Sequence, residues 1–324
     1  MQTPDNPHLH LLAENKLGAA PTLELLISCQ RDDLPVFYDR FWHLVEQHQL
    51  IRMDGEARHL ITHDQLLVND FEPITAYSLS HAKAEFLKAT EVGIRKQPAT
   101  LLVIGRTDAA PEFSFANLFR ISLGSNYFPD DPGVLSISLT ATQPNAWESL
   151  SAFRDALLPT VDQILCWSTL GYGFVCNFEV FYPAAEQMQM LCMRYLGVDL
   201  QDPFGAFVIA GPWGLRTINW QVCVSSIWLA HQFPDLSERL RQNANDHLGY
   251  MFWQAADKAS LCDRNDLKDH AAIAAYTELE NRLSRIIYTP QWHWYKYWDE
   301  AISERWSTRW SEVEVFAKSP RSIN

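Results

Sequence analysis

A chain of 324 residues is long enough to bury a large core in one big domain or in two of ordinary size. Its net charge of −13 argues against direct nucleic-acid binding, which needs clustered Lys and Arg. The same charge favours a basic protein partner, because complementary fields speed association and disfavour wrong partners.

The N-terminal residues predict a chain that is neither secreted nor anchored. Residues 1–20 are polar, contain Pro4, Pro7 and Gly18, and are typical of a loose N-terminal arm. They hold no basic segment followed by the apolar run of a secretion signal, and no run approaches the ~18 apolar residues of a membrane helix. The six cysteines form no CxxC motif, which favours free thiols in a reducing compartment. We therefore expect a cytoplasmic protein without membrane contact.

The elements predicted for residues 21–128 mix strands with two helices. Apolar residues at helical spacing over 37–48 predict an amphipathic helix. A second helix is predicted over 79–96 and ends near Pro98. Apolar and β-branched runs predict strands over 22–29, 59–62, 66–71, 101–105 and 113–122.

The order strand, helix, strand, strand, helix recurs after residue 128. Asn145 and Glu148 have the spacing of a capping box at the start of a helix, and a later helix begins near Pro183. The repetition indicates two similar halves. Strands between helices without strict βαβ alternation predict an α+β fold, with largely antiparallel sheets and helices packed on them. The first of these helices is predicted to bury Trp147, Leu150, Phe153, Leu157 and Leu158. Strands are predicted over 134–140, 164–168 and 172–180.

Residues 204–226 combine a turn with a core strand. Gly211, Pro212 and Gly214 break an apolar run. The apolar residues that follow recur at period two, which places them on one face of a strand. Further on, a helix over 235–242, a strand over 248–256, an Asp-rich loop and a helix over 272–286 are predicted. The period-two residues are Ile218, Trp220, Val222 and Val224.

Three short segments carry a resemblance to a known family. They are LGYGF at 170–174, RYLGVDL at 194–200, and Arg216 followed by Ile-Asn-Trp at 218–220. In this order they resemble the type VI secretion immunity family over residues 21–290. The resemblance implies an α+β protein that binds and neutralises a cognate antibacterial effector. The matching residues are then structural, with the two glycines forming a turn: Gly171, Gly173, Arg216, Asn219 and Trp220.

No motif for catalysis, for a metal or for a cofactor is recognisable. Zinc-ligand spacing, phosphate-binding loops, GxSxG and HExxH are all missing from the sequence, so no catalytic residue, metal or cofactor is predicted. Cys176 with His231 or His247 is a conceivable thiolate pair, although an inert core thiol is favoured. The acids Asp263, Asp266 and Asp269 lack the remaining features of a calcium loop and predict a solvated acidic loop.

Two features favour protein binding. Residues 129–203 hold nine acidic and two basic residues, a net charge of −7 that would steer a basic partner. The C-terminal tail, residues 291–324, is rich in Trp and Tyr, which dominate binding energy at interfaces. An alternative for the tail is a helix that docks on its own core through Trp298, Ile302, Trp306 and Trp310. The predicted partner-binding residues are Asp130, Asp131, Asp199 and Asp202, each beside a Pro or Gly break and expected in exposed loops, with Trp294 and Trp298 as anchors.

The sequence therefore favours an immunity protein that blocks the active site or assembly of its effector. Because we expect the protein in the cytoplasm, we expect an effector that acts there, most simply a nuclease whose basic groove the acidic surface occupies. A hydrolase of unknown specificity and an adaptor or scaffold without a toxin stay open as alternatives.

Overall fold

The described strands of this protein form one sheet. In the computed structural model, the described residues are 19–29, 40, 43–44, 47–48, 56–63, 65–68, 72–73, 100–106, 118–125, 133–140, 146–160, 165–176, 193–200, 214–215, 217–287 and 309–310. The strands are β1 (Ala19–Cys29), β2 (Glu56–His63), β3 (Gln65–Val68), β4 (Glu72–Pro73), β5 (Thr100–Arg106), β6 (Leu118–Ser125), β7 (Gly133–Thr140), β8 (Leu165–Cys176), β9 (Val198–Leu200), β10 (Gln221–Ser225), β11 (Asn245–His247) and β12 (Tyr250–Gln254).

Neighbouring strands in this sheet run mostly antiparallel. The order is β11-β12-β10-β8-β1-β7-β6-β5-β2-β3, with β4 paired to β2 and β9 paired to β8. Among the described strands, only the pairing of β8 with β9 is parallel. With the helices described below, this confirms the predicted α+β class with a largely antiparallel sheet. The predicted division near residue 128 into two halves stays a prediction.

Strands β1 and β10 lie inside the sheet and are covered on both faces. Consecutive residues Leu25, Leu26 and Ile27 of β1 are all buried, and so are all five residues of β10. A strand with one wet face would alternate buried and exposed residues. Strand β1 pairs with β7 on one side and β8 on the other. It therefore joins the strands β11-β12-β10-β8 to the strands β7-β6-β5-β2-β3.

Four α-helices are described over their full length. They are α1 (Ala146–Leu157), α2 (Ser226–Gln232), α3 (Pro234–Arg241) and α4 (His270–Leu283). Helix α1 buries Leu150, Phe153 and Leu157, as its apolar spacing predicts, while Trp147 is only partly buried. Helix α2 was not predicted from the sequence. It begins because the Ser225 hydroxyl accepts a hydrogen bond from the backbone N–H of Trp228.

A core cluster forms where β10, the helices that follow it and the C-terminal segment meet. Trp310 is fully buried in this cluster and stacks on Tyr276 of α4, with ring centroids 4.9 Å apart. At this residue, the C-terminal segment docks on the protein's own core. No helix within the described residues has the length and apolar character needed to cross a membrane.

The structure corrects two predicted boundaries. The Gly171-Tyr172-Gly173 segment is not a turn, because β8 runs through it without a break from Leu165 to Cys176. The strand predicted over 248–256 begins at Tyr250, since Leu248 and Gly249 form the two-residue turn between β11 and β12. Both have positive φ, at 55° and 86°, as a type I′ hairpin requires.

Candidate functional site

The three segments that carry the family resemblance meet on one stretch of β8. Strand β9, which belongs to the second segment, lies alongside the first, with Tyr172 opposite Val198 and Gly173 opposite Asp199. Asn219 of the third segment packs against Gly171. Segments that are separate in sequence therefore form one structural unit, called here the motif cluster.

Asn219 fixes the centre of the motif cluster. Its side-chain Nδ2 donates to the Tyr172 carbonyl over 3.4 Å, and its Oδ1 accepts from the backbone N–H of Trp220 over 2.9 Å. A Cβ atom on Gly171 would lie only 1.6 Å from that Oδ1. Gly171 is thus needed for the close approach of Asn219 rather than for a turn.

Two partly buried tryptophans lie next to the motif cluster, and we refer to them as the aromatic pair. The rings of Trp147 and Trp220 are 4.9 Å apart and nearly perpendicular, at 73°. Trp147 also contacts Tyr172 edge to face at 5.3 Å. The Trp220 indole N–H donates to the Ala256 carbonyl over 2.7 Å. Trp220 comes just before β10 and packs against the edge of the core, so it is less buried than its period-two pattern predicts.

Tyr172 lies beneath the aromatic pair and is itself buried. Burial, together with the negative charge of Asp269, raises the pKa of its hydroxyl to about 12. A hydrogen bond with Trp147 opposes both effects. Tyr172 is therefore neutral at physiological pH and acts in this site by packing and hydrogen bonding.

Arg309 ties the C-terminal segment to the motif cluster. Its Nε donates to the Leu196 carbonyl over 3.0 Å, and one terminal nitrogen donates to Thr217 Oγ1 over 3.2 Å. The side chain is 2% exposed. One buried guanidinium thus joins the second and third segments. The sequence analysis missed this residue because it lies more than ninety residues from either partner.

A second arginine holds the Asp-rich loop. The Arg194 guanidinium donates to both carboxylate oxygens of Asp263, at 2.7 to 3.1 Å, and the bond to Asp263 raises the pKa of Arg194. Asp263 also accepts from the backbone N–H of Asn265 and is 4% exposed. The expectation of a solvated loop is wrong for Asp263, which is committed to structural bonds. Asp266 and Asp269 accept backbone N–H bonds in the same loop.

A separate polar cluster joins α1 to the hairpin of β11 and β12. The Asp155 carboxylate accepts from Arg154 over 2.9 Å and contacts His247 Nε2 at 2.8 Å. Arg154 also donates to Gln221. Cys223 is buried nearby, and burial raises its pKa to about 11, so its thiol is protonated at neutral pH. The pair of Asp155 and His247 thus has no thiolate at Cys223 to activate.

The predicted partner-binding residues are mostly beyond the described part of the chain. Asp199 is described, and it lies in β9 with only 2% of its surface exposed. The expectation of an exposed loop is wrong for Asp199, because the residue pairs inside the sheet next to β8. Within the acidic region 129–203, the negative charge of Asp155 is balanced by its ion pair with Arg154. Six of the predicted site residues lie outside the described ranges: Asp130, Asp131, Asp202, Arg216, Trp294 and Trp298.

The structure describes the residues of the conceivable thiolate pair only in part. Cys176 ends β8, but the surroundings of its side chain lie outside what the structure describes. His231 is exposed on α2, and His247 is bound to Asp155. Among the described residues, no group of three or more His, Cys, Asp or Glu side chains is placed to hold a metal ion.

Comparison with solved structures identifies a fold shared with a secretion-system protein. The chain is similar to the Pseudomonas aeruginosa T6SS protein PA0821, with a TM-score of 0.57 and 15% identity, over 95% of this chain and 87% of that one. At this identity, the likeness shows the fold. No protein-family model matches the chain, and no curated protein matches it.

Proposed function

We propose that this protein is an immunity protein, which binds a cognate type VI secretion effector and neutralises it without catalysis. The motif cluster is the observation that carries the proposal. The three segments that resemble the immunity family lie in contact on β8, and this grouping in one folded unit supports the proposal. The similarity in fold to a T6SS protein also supports a role connected with type VI secretion.

The charge of the chain supports a basic effector. The net charge of −13 favours association with a cationic protein and disfavours a nucleic-acid ligand. We propose that the protein acts in the cytoplasm on a nuclease-type effector, in a one-to-one complex that covers the active site or prevents assembly. A nuclease groove holds phosphates with basic residues, and an acidic protein surface fits such a groove.

Co-expression tests the proposal most simply. Candidate effector genes from the same genome are each induced in a susceptible strain with and without this protein. We expect survival to rise by several orders of magnitude when the protein is present. Unchanged killing, at matched effector levels, would exclude the immunity function.

The hydrolase alternative has one feature in its favour, the contact between Asp155 and His247. A carboxylate that orients an imidazole is part of many catalytic sites. The variant His247→Gln separates the two functions. If the protein acts by binding, this variant protects as well as the natural protein; if it acts as a hydrolase through this pair, protection is lost although the fold is retained.

A further inference from the structure

We propose that the aromatic pair, Trp147 and Trp220, anchors the effector by receiving one of its Arg or Lys side chains. This inference rests on the proposed immunity function and specifies where on the surface the effector binds. It differs from the sequence-based expectation, which put the aromatic anchors in the C-terminal tail.

The aromatic pair is partly exposed although it lies on the motif cluster. Both indoles are partly buried, whereas Tyr172 beneath them and the fully buried Trp310 belong to the interior. Tryptophan is among the residue types enriched at the energetically dominant centres of binding interfaces. An indole also attracts a cation placed over its face, and the attraction grows when water is excluded.

Two carboxylates lie beside the aromatic pair in the chain. Glu148 follows Trp147 on α1, and Asp257 follows Ala256, whose carbonyl accepts the Trp220 N–H bond. Both acids are exposed; Lys258, also exposed, is the nearest basic residue in this loop. Exposed carboxylates that adjoin the aromatic pair in sequence favour a cationic side chain, because the negative charge and the ring quadrupoles attract the same group. This chemistry matches the basic partner that the net charge favours.

The aromatic pair is held in place before any partner binds. The Trp220 backbone N–H is bonded to Asn219, its indole N–H is bonded to Ala256, and Trp147 contacts Tyr172. Side chains fixed in this way lose little rotational freedom on association, so more of the contact energy goes into affinity. The motif cluster therefore serves as the support of a binding anchor.

Binding kinetics of the purified protein with purified effector, rendered non-toxic by an active-site substitution, test this inference. Trp147→Ala is expected to weaken the complex at least about tenfold, mainly through faster dissociation. The double variant Glu148→Lys/Asp257→Lys is expected to slow association and to reduce its salt dependence. Asp235→Lys/Glu238→Lys on α3 is the matched control, since it reverses the charge of two other exposed acids and is expected to bind as the natural protein does.

Thermal unfolding of each variant separates lost binding from lost folding. If Trp147→Ala melts well below the natural protein, the charge-reversal pair and its control decide the matter. If folded Trp147→Ala and Glu148→Lys/Asp257→Lys both bind the effector within twofold of the natural affinity, the proposed role of the aromatic pair is wrong. The proposed immunity function would still stand. If the natural protein itself does not bind the effector, the proposed function fails first, and the anchor fails with it.

Discussion

The side chain of Asn219 fills the space that any side chain at Gly171 would need. A Cβ at Gly171 would lie 1.6 Å from Asn219 Oδ1, inside the motif cluster. We expect Gly171→Ala to lower the free energy of unfolding by at least about 1–3 kcal/mol, the typical cost of overpacking. Denaturant unfolding measures the loss.

A double-mutant cycle tests whether the clash with Asn219 is the cause. In an Asn219→Ala background, Gly171→Ala is expected to cost much less than in the natural protein, because the obstructing amide is gone. Equal costs in both backgrounds would show that Gly171 is required for another reason.

The C-terminal segment is expected to be part of the stable core. Trp310 is fully buried and stacks on Tyr276, so Trp310→Ala should cost about 3–5 kcal/mol, whereas Trp310→Phe should cost less because a ring remains. Thermal and denaturant unfolding report both values. A Trp310→Ala protein as stable as the natural one would contradict the docking of this segment.

Two ion pairs are expected to differ in their effect on stability. Asp263 is buried and both of its carboxylate oxygens accept from Arg194, so Asp263→Ala should cost about 1–3 kcal/mol by leaving donors without partners. Glu278 and Arg282 pair on the exposed face of α4, where Glu278→Ala should cost at most about 0.5 kcal/mol. Urea unfolding in low and high salt compares them, and similar losses would contradict the assignment.

Stability is expected to fall in alkali. Burial raises the pKa of Cys223 from about 9 to about 11. Between these values, the unfolded chain releases the thiol proton and the folded chain keeps it, so the free energy of unfolding falls by up to about 1.4 kcal/mol per pH unit for this group. Cys223→Ala should have a shallower slope from pH 9 to 11. An unchanged slope would show that Cys223 is not protected by burial.

The elements with strong local signals were predictable from sequence. The apolar spacing of α1 and α4 and the alternation in β7 follow from local residue order, and each was predicted near its observed position. Glycine was misleading at Gly171, where it was taken for a turn. A glycine is required at this position because the amide of Asn219, 48 residues away, packs against it. No local sequence pattern contains that information.

The binding residues depended even more on tertiary contacts. Asp199 was expected in a loop because Gly197 precedes it and Pro203 follows, yet pairing with β8 buries it. The aromatic pair was not recognised because Trp147 and Trp220 belong to elements predicted as core. Helix α2 continues an apolar strand, and only the capping hydroxyl of Ser225 marks where the strand ends.

Titration of the effector's toxic activity with purified natural protein tests the central claim most directly. The account predicts that activity falls linearly with added protein and disappears at one equivalent, with a single complex on gel filtration. Full effector activity in the presence of excess folded protein, with no complex, would contradict the immunity function.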